Sequence, residues 1–233
     1  MRDATLVAAR MLSANTRELT IDPGPDFRFV PGQWVNLFLP AASGDEPLKR
    51  PYSIASAPRE DGCFDLAVTL VPGGPGSSQL HAAAIGSTLK MSHAQGFFTL
   101  DPIVRPVLMV ATGTGVAPFR AILQSLVVDP PSEPCVLVFG NRTEADILYR
   151  DELESIATRC PWFRFLPTLS RAEERWQGKR GYVQLHLDDA LEIVGTDCDA
   201  YVCGLTKMVH DVRRILREEH QLERKRVHIE RYD

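Results

Sequence analysis

The sequence predicts two folded parts in tandem: an antiparallel β-barrel over residues 1–101, then an α/β unit on a parallel sheet over residues 102–233. Two patterns carry this. Up to about residue 101 the chain reads as short alternating strands broken by Gly- and Pro-rich turns, the pattern of a barrel or sandwich. After residues 102–106, which begin and end in proline, apolar runs alternate with helical segments, which implies a parallel sheet covered on both faces. At 233 residues and 44% hydrophobic content the chain can bury a core in each part.

In the first part, residues 18–21 alternate polar and apolar, and 22–26 (Asp-Pro-Gly-Pro-Asp) form a loop. Pro31-Gly32 opens a turn before an alternating strand at 34–39. Strands are expected at 64–71, 88–92 and 96–100, with one short helix at 77–84. In the second part strands are expected at 107–111, 135–140, 164–169, 200–203 and 227–230. Helices are expected at 117–126, 145–158 and 207–220, and 182–189 passes from a strand or turn into helix. The domain boundary is placed at about residue 102.

A net charge of −4 without basic tracts gives no indication of nucleic acid or of an anionic membrane surface. Residues 1–6 lack the apolar run of a signal peptide, and no stretch reaches the roughly 18–20 apolar residues of a membrane span. Five cysteines, an odd number without C-x-x-C spacing, argue against a structural zinc or an iron–sulfur cluster and for reduced thiols in the cytoplasm. The six histidines show no metal spacing, so no metal site is expected.

Four segments carry chemistry. Arg50-Pro51-Tyr52-Ser53 places a guanidinium and a phenol on one face of a strand and a hydroxyl on the other. The set suits a planar cofactor with a phosphate tail, by bidentate pairing, ring stacking and a hydrogen bond to a ring nitrogen. It equally suits an ordinary strand. Gly73-Gly74-Pro75-Gly76-Ser77-Ser78 runs into a helix, where free amides bind anions; Ser77 and Ser78 either cap the helix or contact phosphate. Thr112-Gly113-Thr114-Gly115-Val116-Ala117-Pro118 turns from a buried strand straight into a helix, with Pro118 in the first turn. This is the geometry that cradles a pyrophosphate at the carboxyl end of a parallel strand. Cys203-Gly204-Leu205 ends a later strand, where open α/β sheets bind ligands, although a small buried cysteine fits too. Arg142, Ser170-Arg171 and Lys179-Arg180 follow other strand ends and suit an additional phosphate such as the 2′-phosphate of NADP. Lys179 and Arg180 cannot be told apart from the sequence.

In this order the segments resemble the ferredoxin–NADP reductase family across almost the whole chain. Arg50-Pro51-Tyr52-Ser53 resembles its R-x-Y-S flavin motif, and Gly76-Ser77-Ser78 its second flavin-phosphate segment. Gly113-Thr114-Gly115-Val116-Ala117-Pro118 resembles its G-T-G-[IV]-A-P loop, Cys203-Gly204-Leu205 with Met208 its C-G-x-x-x-M segment, and Ser170-Arg171 its NADP-selecting pair. The resemblance implies FAD beside Tyr52 and Ser53, with Arg50, Ser77 and Ser78 on its phosphates. It implies NADP(H) on Thr114, Gly115, Val116 and Pro118, with Cys203 and Gly204 where nicotinamide meets flavin and no covalent role for the thiol. It also implies electron exchange with ferredoxin or flavodoxin, and a monomer is expected. A flavin reductase or the reductase component of an oxygenase shares the fold and is the alternative; a nucleotide-sensing domain without redox function is a third. Tyr232 is penultimate, where the family often ends in an aromatic, and is expected over the nicotinamide side of the flavin with Glu230 nearby. No aromatic in residues 71–76 is available for the adenine of FAD, so FMN stays open. Arg213, Arg214, Arg217, Arg224, Lys225 and Arg226 are candidates for docking an acidic carrier, although Glu218, Glu219 and Glu223 among them suit a solvated surface as well.

Overall fold

The computed structural model describes residues 1–41, 46–100 and 102–232. Asp101, next to the expected domain boundary, and Asp233, in the expected C-terminal motif, lie outside the described residues. Contacts divide the chain into two units, Met1–Thr99 with Ala117–Ser125, and Leu100–Val116 with Leu126–Asp233.

The first unit is built on β1 (Arg2–Met11), β2 (Thr16–Asp22), β3 (Trp34–Leu39), β4 (Leu48–Ser53), β5 (Phe64–Thr69) and β6 (Thr88–Met91), with α1 (Pro75–Ala82) between the last two. Neighbouring strands are antiparallel in the order β4-β3-β6-β1-β2-β5. The two edges meet where Ile54 bridges Leu66 and the Ala55 amide donates to the Asp65 carbonyl at 2.7 Å, so the sheet closes into a barrel. Closure removes the exposed strand edges that an open sheet must protect. Leu6, Leu19, Ile21, Val35, Leu37, Ile54, Phe64, Leu66 and Met91 fill its interior without solvent contact.

One strand is new here and two expectations change. β1 has no clear alternation, because only Ala4 and Leu6 of its ten residues are buried, and the periodicity of the sequence passes over it. Residues 96–100 form no strand: Gly96 turns at φ 104°, and a side chain on Gly32 would lie 2.0 Å from the Phe98 carbonyl oxygen. The chain crosses too closely there for a ladder, and Phe97 is 98% exposed while Phe98 is buried. Finally, α1 begins at Pro75 rather than 77, since proline is favourable in the first turn, and ends at Ala82, where Ala83 turns extended.

Arg17 of β2 holds the end of α1. Its Nη1 donates to the carbonyls of Leu80 (3.0 Å), His81 (2.7 Å) and Ala83 (3.0 Å), groups that a helix end otherwise leaves without partners. Arg17→Met is expected to lower the stability of the barrel unit by about 2 kcal/mol, because three carbonyls lose a charged donor at once. Urea denaturation followed by circular dichroism measures it.

The second unit is a six-stranded sheet. It contains β7 (Val107–Thr112), β8 (Cys135–Asn141), β9 (Phe163–Leu169), β10 (Lys179–Arg180), β11 (Asp199–Gly204) and β12 (Val227–Arg231). All pairs are parallel, in the order β10-β9-β8-β7-β11-β12. The chain first builds outward from β7 to β10 and then returns to add β11 on the other side of β7. That reversal is the switch point at which such sheets open a crevice for ligands. The connecting helices are α2 (Ala117–Val128), α3 (Arg150–Arg159), α4 (Leu187–Val194) and α5 (Thr206–Glu218). One face of the sheet, with Leu108, Val110, Val136, Val138, Ala200 and Val202, packs on apolar residues of α4 and α5 such as Leu187, Leu191, Val209 and Val212.

The helix expected at 145–158 is two pieces. Glu144–Asp146 is a single 3-10 turn closed by the Asp146 carboxylate, which accepts from the Thr143 amide (2.9 Å) and hydroxyl (2.8 Å). Tyr149 then takes a left-handed conformation, φ 57°, before α3 begins. Apolar spacing runs through the break, so only the backbone shows it.

Candidate nucleotide and flavin sites

In the barrel, β4 pairs with β3 so that Arg50 faces Leu37 and Tyr52 faces Val35. Arg50 is exposed, Tyr52 half-buried and Ser53 buried. Burial pushes the Tyr52 hydroxyl up to about 12, against a smaller opposite pull from the Arg50 charge. The phenol is therefore a neutral donor at any ordinary pH. The two expected cofactor segments come together here: a side chain on Gly76 would lie 3.2 Å from Arg50 Cγ and 3.3 Å from Leu39 Cδ1. The start of α1 thus packs directly on the Arg50 side chain, whose Nε would lie 3.6 Å from the added carbon.

The serine hydroxyls of that turn are committed to it. Ser77 Oγ accepts from the Val71 amide at 3.0 Å and lies 3.2 Å from the Gly74 carbonyl oxygen, and Ser78 Oγ donates to the same carbonyl at 2.9 Å. What the segment offers an anion is the backbone amides of Gly76 and Ser77, since Pro75 has none and the Ser78 amide donates to the Gly74 carbonyl at 3.1 Å. An exposed arginine against a helix start with free amides fits the diphosphate of FAD.

At the carboxyl end of the parallel sheet, Gly113–Val116 forms a 3-10 turn between β7 and α2. Gly113 has φ 54° and open space around it. Gly115 is different: a side chain there would lie 2.3 Å from the Cys203 carbonyl oxygen. The loop at Gly113–Val116 and the Cys203-Gly204 end of β11 are thus in direct contact. Gly204, at φ 149°, leaves room for Thr112 Oγ1, which a side chain would meet at 2.4 Å. That Thr112 hydroxyl is buried without a hydrogen-bond partner among the described residues. An unsatisfied hydroxyl beside a glycine-walled turn fits a polar ligand, and no periodicity in the sequence could have singled it out.

Cys203 pairs with Glu230 of β12 and Ala111 of β7, and the Tyr232 amide donates to the Gly204 carbonyl at 3.1 Å. Cys203, Gly204, Glu230 and Tyr232 therefore form one cluster. Cys203 was expected at the rim, but it has no solvent contact, because neighbouring strands and the Gly115 turn close over it. Burial holds its thiol well above the ordinary range; the Glu230 charge adds to this, and a hydrogen bond with the Tyr232 side chain opposes it. A thiol that stays protonated is a poor nucleophile.

Further along the same edge, the loops after β8 and β9 are joined by backbone bonds. Ser170 donates to the Asn141 carbonyl (3.0 Å) and Arg171 to that of Arg142 (2.8 Å). Arg142 and Arg171 are exposed, and neither guanidinium has a hydrogen bond or ion pair among the described residues. The buried Asn141 Nδ2 also lacks a hydrogen-bond partner among the described residues. The structure separates the remaining pair. Lys179 is bound to Asp189 at 2.5 Å, while Arg180 donates to the carbonyls of Ala172, Glu173, Glu174 and Trp176 at 2.8–3.3 Å. Arg180 thereby shapes the loop that carries Arg171. Tyr182, just beyond, is 70% exposed, an aromatic at the ligand end of the sheet that the sequence reading missed.

Residues 3–100 match the model of the oxidoreductase FAD-binding domain, and residues 109–214 that of the oxidoreductase NAD-binding domain. Ferredoxin–NADP reductase B of Sorangium cellulosum is 46% identical over 99% of this chain and 97% of its own length. The chain belongs to the ferredoxin–NADP reductase family. The fit to FAD and NADP(H) worked out above is thus that of a family flavoenzyme. The anthranilate 1,2-dioxygenase electron transfer component of Acinetobacter baylyi is 32% identical over 94% of this chain, which spans 64% of that protein. Among solved structures, a cytochrome P450 reductase from Amycolatopsis superposes with a TM-score of 0.86 at 27% identity, over 99% of this chain and 69% of that one. Among the described residues no group of three or more His, Cys, Asp or Glu is placed to hold a metal ion, and no helix is long and apolar enough to cross a membrane.

Proposed function

We propose that this reductase passes electrons between NADP(H) and a one-electron carrier protein, ferredoxin or flavodoxin, by way of FAD. Residues 1–101 hold the flavin and residues 102–233 the nicotinamide nucleotide. The observation that carries this is the 46% identity to a ferredoxin–NADP reductase along nearly the full length of both chains. Bound FAD supplies the exchange of a hydride on one side for single electrons on the other.

Tyr52 lies along the flavin ring, and Ser53 hydrogen-bonds near its reactive nitrogen. Arg50 and the first amides of α1, at Gly76 and Ser77, hold its diphosphate, while Ser78, whose amide donates to the Gly74 carbonyl at 3.1 Å, shapes the turn that presents them. The Thr114-Gly115-Val116 turn and the start of α2 at Pro118 receive the pyrophosphate of NADP(H), with the Thr112 hydroxyl as an added donor. Ser170, Arg171 and Arg142 take the 2′-phosphate, Arg180 fixes their loop, and Tyr182 stacks on adenine. Cys203 and Gly204 form the floor under nicotinamide, with Glu230 beside it. The protein works as a cytoplasmic monomer.

Tyr232 covers the nicotinamide end of this site and must give way when the ring enters. A side chain that must first be displaced reduces the apparent affinity by the fraction of time it blocks the site. Deleting residues 232–233 is therefore expected to tighten NADP+ binding by about tenfold. Equilibrium dialysis checks this, and unchanged affinity would exclude the covering role.

For the carrier, α5 offers the basic surface. Arg214 is paired with Glu219 at 3.0 Å, Lys225 with Glu223 at 2.9 Å, and Arg226 with Asp197 and Glu223. Arg213, Arg217 and Arg224 have no ion pair among the described residues, and the first two line a groove of about 300 Å³ with His210, Arg214 and Glu218. Arg213 and Arg217, unpaired and on one groove, are the stronger docking candidates. The reading of this protein as the reductase component of an oxygenase rests on the resemblance to the anthranilate dioxygenase component. Anaerobic stopped-flow reduction with NADPH and NADH, followed by ferredoxin, flavodoxin or an oxygenase, decides between them. Fast reduction by NADPH alone with turnover of ferredoxin or flavodoxin supports the first reading; equal rates with NADH undo it.

A further inference from the structure

A cluster of charges is buried in the wall of the barrel unit. Glu18 of β2, Asp65 of β5 and Arg120 of α2 are 6%, 4% and 7% exposed. Arg120 Nη1 donates to the Ala55 carbonyl at 2.9 Å and to Asp65 Oδ2 at 3.2 Å, and lies 3.5 Å from Glu18 Oε2. Arg10 Nε holds Glu18 Oε1 at 2.6 Å. Arg59 Nη1 and Thr20 Oγ1 hold Asp65 Oδ1 at 3.0 and 2.9 Å.

The same cluster grips the backbone of residues 54–57. The Ala55 amide donates to the Asp65 carbonyl at 2.7 Å, and the Asp65 amide to Ser56 Oγ at 2.9 Å. One turn beyond Arg120 on α2, Gln124 Oε1 accepts from the Ala57 amide at 2.8 Å. This segment directly continues Tyr52-Ser53. Apolar side chains of similar volume would hold a helix against the barrel at no loss of stability, since desolvating charges offsets most of their attraction. What the guanidinium adds is a planar fork with fixed directions, which an apolar patch lacks.

We propose that Arg120 is a positioning residue for the flavin strand. By fixing the Ala55 carbonyl it sets where Tyr52 and Ser53 stand when FAD binds. The inference rests on the reading that Arg50–Ser53 hold the flavin.

Two variants test it. Arg120→Lys keeps the charge but replaces the planar guanidinium with a freely rotating ammonium, so the directions of the bonds to Ala55 and Asp65 are no longer fixed. The triple variant Glu18→Gln, Asp65→Asn, Arg120→Met removes the three buried charges; Arg10 and Arg59, which stay, have side chains 63% and 31% exposed. FAD affinity is read from flavin fluorescence, the ring environment from the visible circular dichroism of bound FAD, and folding from the melting temperature. Arg120→Lys is expected to bind FAD about tenfold more weakly, the equivalent of one charged hydrogen bond. The triple variant should bind still more weakly with an altered visible spectrum, while melting no lower than Arg120→Lys. Wild-type FAD affinity and visible spectrum in either variant overturn the proposal. Wild-type protein that takes up no FAD would instead strike the flavin reading on which it rests.

Discussion

Replacing Arg142 and Arg171 together by alanine is expected to raise the KM for NADPH about a hundredfold, with NADH changed less than about threefold. The two guanidinium groups stand on adjoining loops joined by the Arg171 amide and the Arg142 carbonyl at 2.8 Å, and both are exposed. Neither is used by the protein itself among the described residues. A doubly charged phosphate monoester held by two such groups gains two charged hydrogen bonds, each worth roughly 1.5–3 kcal/mol. NADH lacks that phosphate and loses nothing specific. Lys179→Ala serves as the contrast. Its ammonium is bound to Asp189 at 2.5 Å, so its removal should leave the NADPH:NADH ratio within about twofold of wild type. Steady-state kinetics with both nucleotides gives all the numbers. A double variant that keeps its NADPH preference would remove the 2′-phosphate from this edge of the sheet.

Gly115→Ala is expected to cost the second unit about 3 kcal/mol and to abolish measurable NADP+ binding. The added methyl would sit 2.3 Å from the Cys203 carbonyl oxygen and 2.7 Å from its carbon, and both are backbone atoms of a central strand. Neither can swing aside as a long side chain does, so the turn or β11 must shift. Either shift moves the amides that receive the pyrophosphate. Gly113→Ala is the control two residues away. Gly113 has φ 54° but open space around it, so alanine pays only the left-handed backbone penalty of about 1 kcal/mol. Urea denaturation and NADP+ titration of the two variants separate close packing from backbone conformation. Equal effects would show that the turn needs glycine for its dihedral angle and not for its contact with β11.

Much of this was legible in one dimension because the relevant signals are local. A strand ending in Thr-Gly-Thr-Gly-Val-Ala-Pro has few ways to continue other than a tight turn into a helix, and the parallel sheet announced itself in apolar runs such as Val107–Thr112. Where local pattern and tertiary environment part company, the reading failed. β1 buries only two residues and carries no period. Residues 96–100 have strand-like composition but cross Gly32 too closely to pair. Tyr149 breaks a helical pattern with one dihedral angle.

The order of motifs by itself determined that this chain is a family reductase with a barrel and a nucleotide sheet, since composition, turn residues and spacing are properties of neighbours along the chain. Only the three-dimensional arrangement decided which of many similar groups are available. It separated Arg142 and Arg171 from Lys179 and Arg180, buried Cys203, left the Thr112 hydroxyl without a partner, and drew Arg120 to Ala55 across 65 residues of sequence. Hydrogen-bond satisfaction and burial depend on which distant atoms arrive at a side chain, and no local pattern records their arrival.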